Sequence, residues 1–131
     1  MLPQPHRLRR AGEIRQLREH GRAWRHPLAI LLVLARHNDP PKDAQVTTRF
    51  AVSASRQVGN AVARNRAKRL LREAIRHHLH EIETGWNCLL IARPLTSKAS
   101  FAEVETAVLQ LLSRARLISP KATGAGKEEL T

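Results

Sequence analysis

The stretch Val58-Gly59-Asn60-Ala61-Val62-Ala63-Arg64-Asn65-Arg66-Ala67-Lys68-Arg69-Leu70-Leu71-Arg72-Glu73 carries the cleanest helical period and the densest positive charge of the chain. On a helix turning about 100 degrees per residue, Arg64, Lys68, Arg72, Asn65, Arg76 and Arg69 fall in that order within an arc of about 140 degrees. Ala63, Ala67, Leu70 and Ala74 take the opposite side, and Leu71 and Ile75 extend the apolar stripe to the Arg64 edge of the arc. A helix with one apolar and one cationic stripe packs on a core and turns its charge toward something anionic. Gly59 permits a backbone conformation that other residues resist, and Asn60 is a favoured N-cap, so the helix is expected from about Ala61 to His80.

A solvated surface helix is the plain alternative. Against it, residues 56 to 76 hold seven Lys or Arg and one acid, so ion pairs four residues apart cannot balance the charge. Asn65 is a mediocre helix former among cations, which points to a hydrogen-bonding task.

Working outward, the strands come first. Thr47 to Ser55 alternates as a strand before the helix, and Trp86 to Arg93 is a strand after it. Together they make a βαβ unit whose two strands should lie parallel. Pro27 to Ala35 is apolar without alternation, which predicts a strand covered on both faces. It is expected to pair antiparallel with the Thr47–Ser55 strand across a loop of turn formers at 37–44. Arg22-Ala23-Trp24-Arg25 reads as a short edge strand.

Ala11 to His20 reads as a short helix on Ile14 and Leu17, stopped by Gly21. Ser100 and Glu103 form a capping box that opens a last helix striped by Phe101, Val104, Val108, Leu111 and Leu112. Residues 1–7 are expected to be an irregular arm that is ordered only by docking, 8–118 a single domain, and 119–131 a disordered tail.

A chain of 131 residues suits one domain. Its 23 Lys and Arg against 11 Asp and Glu leave +12, an excess usually matched by a polyanion. Nucleic acid leads. A membrane surface is the competitor, but the basic helix has no Trp or Phe to anchor at an interface. The longest apolar run is also far shorter than the ~20 residues of a spanning helix. A single cysteine, Cys88, and the lack of a charged-then-apolar leader favour the cytoplasm.

Protein-borne catalysis finds no support. The acids are scattered, and there is no phosphate loop, nucleophile elbow or zinc-ligand pattern. His77, His78 and His80 sit near a helix end, where interaction with the helix dipole explains them more simply than a metal does. Aromatics are few: Trp24 is the one offered as a nucleic-acid contact, Phe101 belongs to a helix stripe, and Phe50 can face either way.

The run Gly59 to Glu73 resembles the signature of the protein subunits of bacterial ribonuclease P. Arg7-Leu8-Arg9-Arg10 before a short helix, and Leu90-Ile91-Ala92-Arg93-Pro94 before Phe101-Ala102-Glu103, agree in order and spacing, so the likeness spans about residues 7 to 117. The resemblance implies an α+β fold: a single αβββαβα domain, ribosomal-protein S5 domain 2-like, a sandwich with a left-handed βαβ crossover. The general rule favours the right-handed form.

The resemblance also implies a task. In the family a catalytic RNA removes the 5′ leader of precursor tRNA with Mg2+ held through the RNA, and the small protein binds that RNA, holds the leader and supports metal-dependent cleavage. The implied assembly is a heterodimeric ribonucleoprotein of one RNA and one protein. Asn60, Arg64, Asn65, Arg66, Lys68, Arg69 and Arg72 match the motif that meets the catalytic RNA. Arg76 extends it, and Arg56 stands where the family has the first of two lysines, the second being Gln57 here.

The implied leader cleft, between the first helix and the sheet, draws on Arg9, Arg10, Ile14, Arg18, Leu32, Arg49 and Phe50. There, aliphatic contact and charge replace the aromatic walls common in the family. The competing reading is a ribosome-associated RNA-binding protein with the same small fold.

Overall fold

The computed structural model describes residues 2–36 and 47–118. The expected loop and the expected C-terminal tail lie outside them. Three helices and four strands follow in the order α1 (Ala11–His20), β1 (Arg22–His26), β2 (Ala29–Ala35), β3 (Arg49–Ser53), α2 (Ala61–Arg76), β4 (Trp86–Ala92) and α3 (Phe101–Arg114).

The sheet runs β1-β2-β4-β3. β3 and β4 are parallel, as the βαβ reading expects, with Phe50 opposite Cys88 and Val52 opposite Leu90. The expected pairing of β2 with β3 is corrected: β4 lies between them and pairs antiparallel with β2. The reason is burial on both faces. β4 buries the consecutive residues Asn87, Cys88, Leu89 and Leu90, whereas β3 carries Arg49 and Ser53 and takes an edge.

The expectation that β2 is covered on both sides also needs correction. Ala29, Leu31 and Val33 are buried, but Ile30, Leu32 and Leu34 are only half-buried. α2 and α3 cover the first set. The second faces α1, whose ten residues reach only about 15 Å along the sheet.

The main core therefore joins one sheet face to α2 and α3 through Leu31, Phe50, Leu71, Ile75, Leu90, Val108 and Leu111. A smaller cluster of Leu8, Leu17 and Leu89 holds α1 on the other face, with Ile14, Leu32, Leu34, Ala51 and Ile91 around it.

Helix ends follow the sequence signals. Asn60 accepts the Ala63 N–H at 2.9 Å, and Gly59 before it has φ of +139°, a conformation that side chains resist. Ser100 and Glu103 cap α3 reciprocally. α2 stops at Arg76, four residues earlier than expected, and the chain continues as a tight turn over Leu79–Glu81. The N-terminal arm is docked: Leu2 is buried, Gln4–His6 makes one 3-10 turn, and the Leu8 N–H donates to the Phe50 carbonyl at 2.8 Å.

Candidate nucleic-acid interface

α2 buries Ala67, Leu71, Ala74 and Ile75 and turns its polar side away from the core. The residues expected to meet RNA do not all do the same thing there. Asn65, Lys68, Arg69 and Arg72 stand along one wall of a groove of about 790 Å3. Its opposite wall comprises Arg7, Leu8 and Arg9 of the N-terminal segment, and the residues Phe50, Ala51 and Val52 of β3 close it.

Arg66 points elsewhere. Its Nε and Nη2 donate to the carbonyls of Ser97 and Ala99 at 2.8 and 3.1 Å, tying α2 to the turn Pro94–Lys98 that leads into α3. Arg64 donates through Nη1 to the Gly59 carbonyl at 3.1 Å, which braces the helix entrance. Asn60 is engaged as the cap, and Arg56 is exposed in the turn Arg56–Val58 just before it.

Arg76 donates to Glu73 at 2.7 Å. The hydrogen bonds from Arg76, more than any other cause, hold the Glu73 carboxyl down to about 2. Glu73 lines the same groove, so Lys68, Arg69 and Arg72 stand there beside one carboxylate, which Arg76 engages, and the excess charge of the wall is positive.

The residues expected at a leader cleft divide by strand alternation. In β3, Arg49 and Ala51 lie on the α1 face and Phe50 on the opposite one, because successive side chains alternate. Phe50 is 1% exposed within the main core, so its ring does not face α1. Ile14 and Leu32 do meet in the α1-side cluster. Arg49 is held there, its Nη2 2.8 Å from Glu13 Oε2 and its Nε donating to Asn87 Oδ1 at 3.3 Å. Arg18 is exposed on α1, Arg10 is exposed at its N-cap, and Arg9 belongs to the groove wall.

Sequence reasoning missed Leu34, Ala51 and Ile91 on this face and Arg7 and Leu8 in the groove. The two-residue steps Leu32–Leu34, Arg49–Ala51 and Leu89–Ile91 carry the first signal. A second cationic concavity joins Arg7, Arg36 and Arg49. Burial, and then the neighbouring Arg49, lower the pKa of Arg36, whose guanidinium donates to the Thr47 carbonyl.

All four aromatic side chains pack with the main core, Phe50 fully and Trp24, Trp86 and Phe101 at its margin. Trp24, offered as a nucleic-acid contact, is half-buried with the Arg22 guanidinium 5.1 Å from its ring centre. The α1 face is therefore lined by aliphatic residues and charge.

The histidines have local tasks. The His78 ring bridges Glu105 at 2.8 Å and Glu81 at 3.2 Å, and His77 lies against Phe101 with ring centres 5.3 Å apart. Among the described residues no three His, Cys, Asp or Glu side chains are grouped to hold a metal ion, and no helix is long and apolar enough to cross a membrane.

Comparison with known proteins gives one consistent result. The family model described as Ribonuclease P matches residues 2–116. The ribonuclease P protein component of Herpetosiphon aurantiacus is 37% identical over 111 residues, covering 85% of each chain. That of Dehalococcoides mccartyi is 35% identical over 118 residues, covering 90% of this chain and 91% of its own. Among solved structures, the Staphylococcus aureus RNase P protein superposes with a TM-score of 0.72 at 20% identity, covering 87% of this chain and 98% of that one. The Thermotoga maritima protein gives 0.69 at 24% identity, covering 82% and 96%. At such identities the structural likeness speaks for the fold.

Proposed function

From the premise that this chain belongs to the ribonuclease P protein family, a protein component working with an RNA subunit in tRNA processing, we propose how its surface serves that task. The cationic wall of α2, with Asn65, Lys68, Arg69 and Arg72 on one groove, docks on the RNA subunit. That concentration of unbalanced charge is the observation that carries the reading. Arg64, Asn60 and Arg56 stand at the helix entrance and extend the contact. Arg66 and Arg76, both exposed, support it through their hydrogen bonds to Ser97, Ala99 and Glu73.

The 5′ leader of precursor tRNA is assigned to the α1-side sheet face, where Ile14 and Leu32 offer aliphatic contact and the exposed Arg10 and Arg18 offer charge, with Arg9 at the adjoining groove wall and Arg49 held in place by Glu13. Cleavage itself is assigned to the RNA, since the sequence carries no phosphate loop, nucleophile elbow or zinc-ligand pattern. Mg2+ is likewise assigned to the RNA.

Physically, the protein contributes affinity and placement. Lys and Arg neutralise phosphates and release counterions, which lowers the repulsion between one RNA and another. One protein per RNA, acting in the cytoplasm, completes the proposal.

Reconstitution tests it. The full chain is mixed with a bacterial ribonuclease P RNA and precursor tRNA at low magnesium, and faster release of the 5′ leader is expected. No gain over the RNA alone would reject this reading in favour of an RNA-binding protein that has no part in cleavage. Cleavage by the protein without RNA would reject the assignment of chemistry.

A further inference from the structure

A surface that met only phosphates would need charge and little else. The groove between α2 and β3 has more. Its volume of about 790 Å3 falls within the roughly 300–1,000 Å3 of small-ligand sites. The half-buried Ile14, Ala51 and Val52 give it apolar surface, while Lys68, Arg69 and Arg72 line one wall with positive charge beside the Glu73 carboxylate that Arg76 engages. Asn65 adds a carboxamide, which both donates and accepts hydrogen bonds.

The backbone of β3 adds a second polar pair. β3 ends the sheet, so one of its edges has no neighbouring strand. On that edge the Phe50 carbonyl accepts the Leu8 N–H at 2.8 Å. N–H and C=O of alternate residues aim at the same side of a strand, so Val52 turns both of its groups outward as well. Among the described residues, these Val52 groups have no backbone partner on that edge. A donor and an acceptor side by side, next to an amide, over an apolar floor and below cations, form a seat for a planar heterocycle bearing a phosphate.

We propose that this groove holds one unpaired nucleotide of RNA. The Watson–Crick edge of the base meets the Val52 N–H and C=O and the Asn65 carboxamide, the base rests on the half-buried apolar lining of the groove, and Lys68 and Arg72 take the phosphate. Every RNA base carries a donor and an acceptor on that edge, and in a duplex the edge is occupied, so the seat selects an unstacked, unpaired residue. The proposal rests on the reading of α2 as an RNA-binding face and names what that face grips beyond phosphate.

The test uses two probes of equal phosphate chemistry, adenosine 5′-monophosphate and ribose 5-phosphate, titrated separately into the isotope-labelled full chain. The nucleotide should shift the Val52 amide and the Asn65 side-chain amide. It should also bind about tenfold more tightly, within the range of one bidentate base contact. Asn65→Ala should remove most of that advantage while leaving ribose 5-phosphate binding unchanged, and Val52→Pro, which deletes the edge N–H, should do the same.

Equal affinity for the two probes with a silent Val52 overturns the seat and leaves a phosphate-only groove. Failure here with intact support of precursor cleavage removes the seat alone. Nucleotide selectivity without such support removes the proposed function and keeps the seat.

Discussion

Glu13 on α1 and Arg49 on β3 meet at 2.8 Å, their side chains 20% and 19% exposed. The pair fixes the first turn of α1 over the sheet face that Ile14 and Leu32 share. Glu13→Gln is expected to cost about 1–3 kcal/mol, because a largely buried guanidinium loses its countercharge. Thermal melts of Glu13→Gln, Arg49→Gln and the double variant check it. Strictly additive losses would mean that the two residues are not coupled.

The two sides of α2 should respond differently to truncation. Lys68→Ala combined with Arg72→Ala should weaken RNA binding and lower the magnitude of its salt slope by about 2, one for each phosphate contact, with little change in melting temperature. Leu71 is fully buried, and Leu71→Ala should cost roughly 2–5 kcal/mol. Binding isotherms at several salt concentrations, read beside thermal melts, separate the faces. Equal loss of melting temperature in both variants would refute the assignment.

Arg66 should behave as a clamp although it belongs to the basic run. Arg66→Ala removes two hydrogen bonds to the Ser97 and Ala99 carbonyls, and about 1–2 kcal/mol of stability should go with them. Its effect on the salt slope of RNA binding should be smaller than that of Arg72→Ala. A stable Arg66→Ala protein with a slope reduced as far as that of Arg72→Ala would make it an RNA contact instead.

His78 gives the fold a pH dependence. Burial works against its charged form, yet the hydrogen bonds to Glu105 and Glu81 outweigh burial and raise its pKa above the ordinary value. The protonated ring is thus favoured by folding. The stabilisation is fully present below the unfolded pKa of about 6.5 and is lost as pH rises through the higher folded value. Melts of the wild type and His78→Gln, compared at about pH 5.5 and about pH 8.5, should differ more at the acidic pH. A constant difference would show that the bridge is insensitive to the charge.

Much of the fold is legible because its signals are local. Gly59 and Asn60 announce the start of α2, and Ser100 with Glu103 announces α3; each is a hydrogen-bonding need met within four residues. The parallel pairing of β3 with β4 is legible too, since a helix between two strands returns the chain in the same direction. The insertion of β4 between β2 and β3 is not. It depends on a comparison among all the strands of which one can be buried on both faces, and Leu89 with Leu90 settles it over Arg49 and Ser53.

The interface divides in the same way. The sequence by itself determined that a cationic stripe runs along one side of a helix, since helical pitch converts residue spacing directly into angle. Only the tertiary structure decided which of those cations remain free to meet a partner. The carbonyls of Ser97 and Ala99, 31 and 33 residues from Arg66 in the chain, turn that guanidinium into a clamp. Likewise, the register of β3 sends Phe50 into the core and Arg49 to α1. Hydrogen bonds and packing between distant segments made these choices, and spacing along the chain carries no record of them.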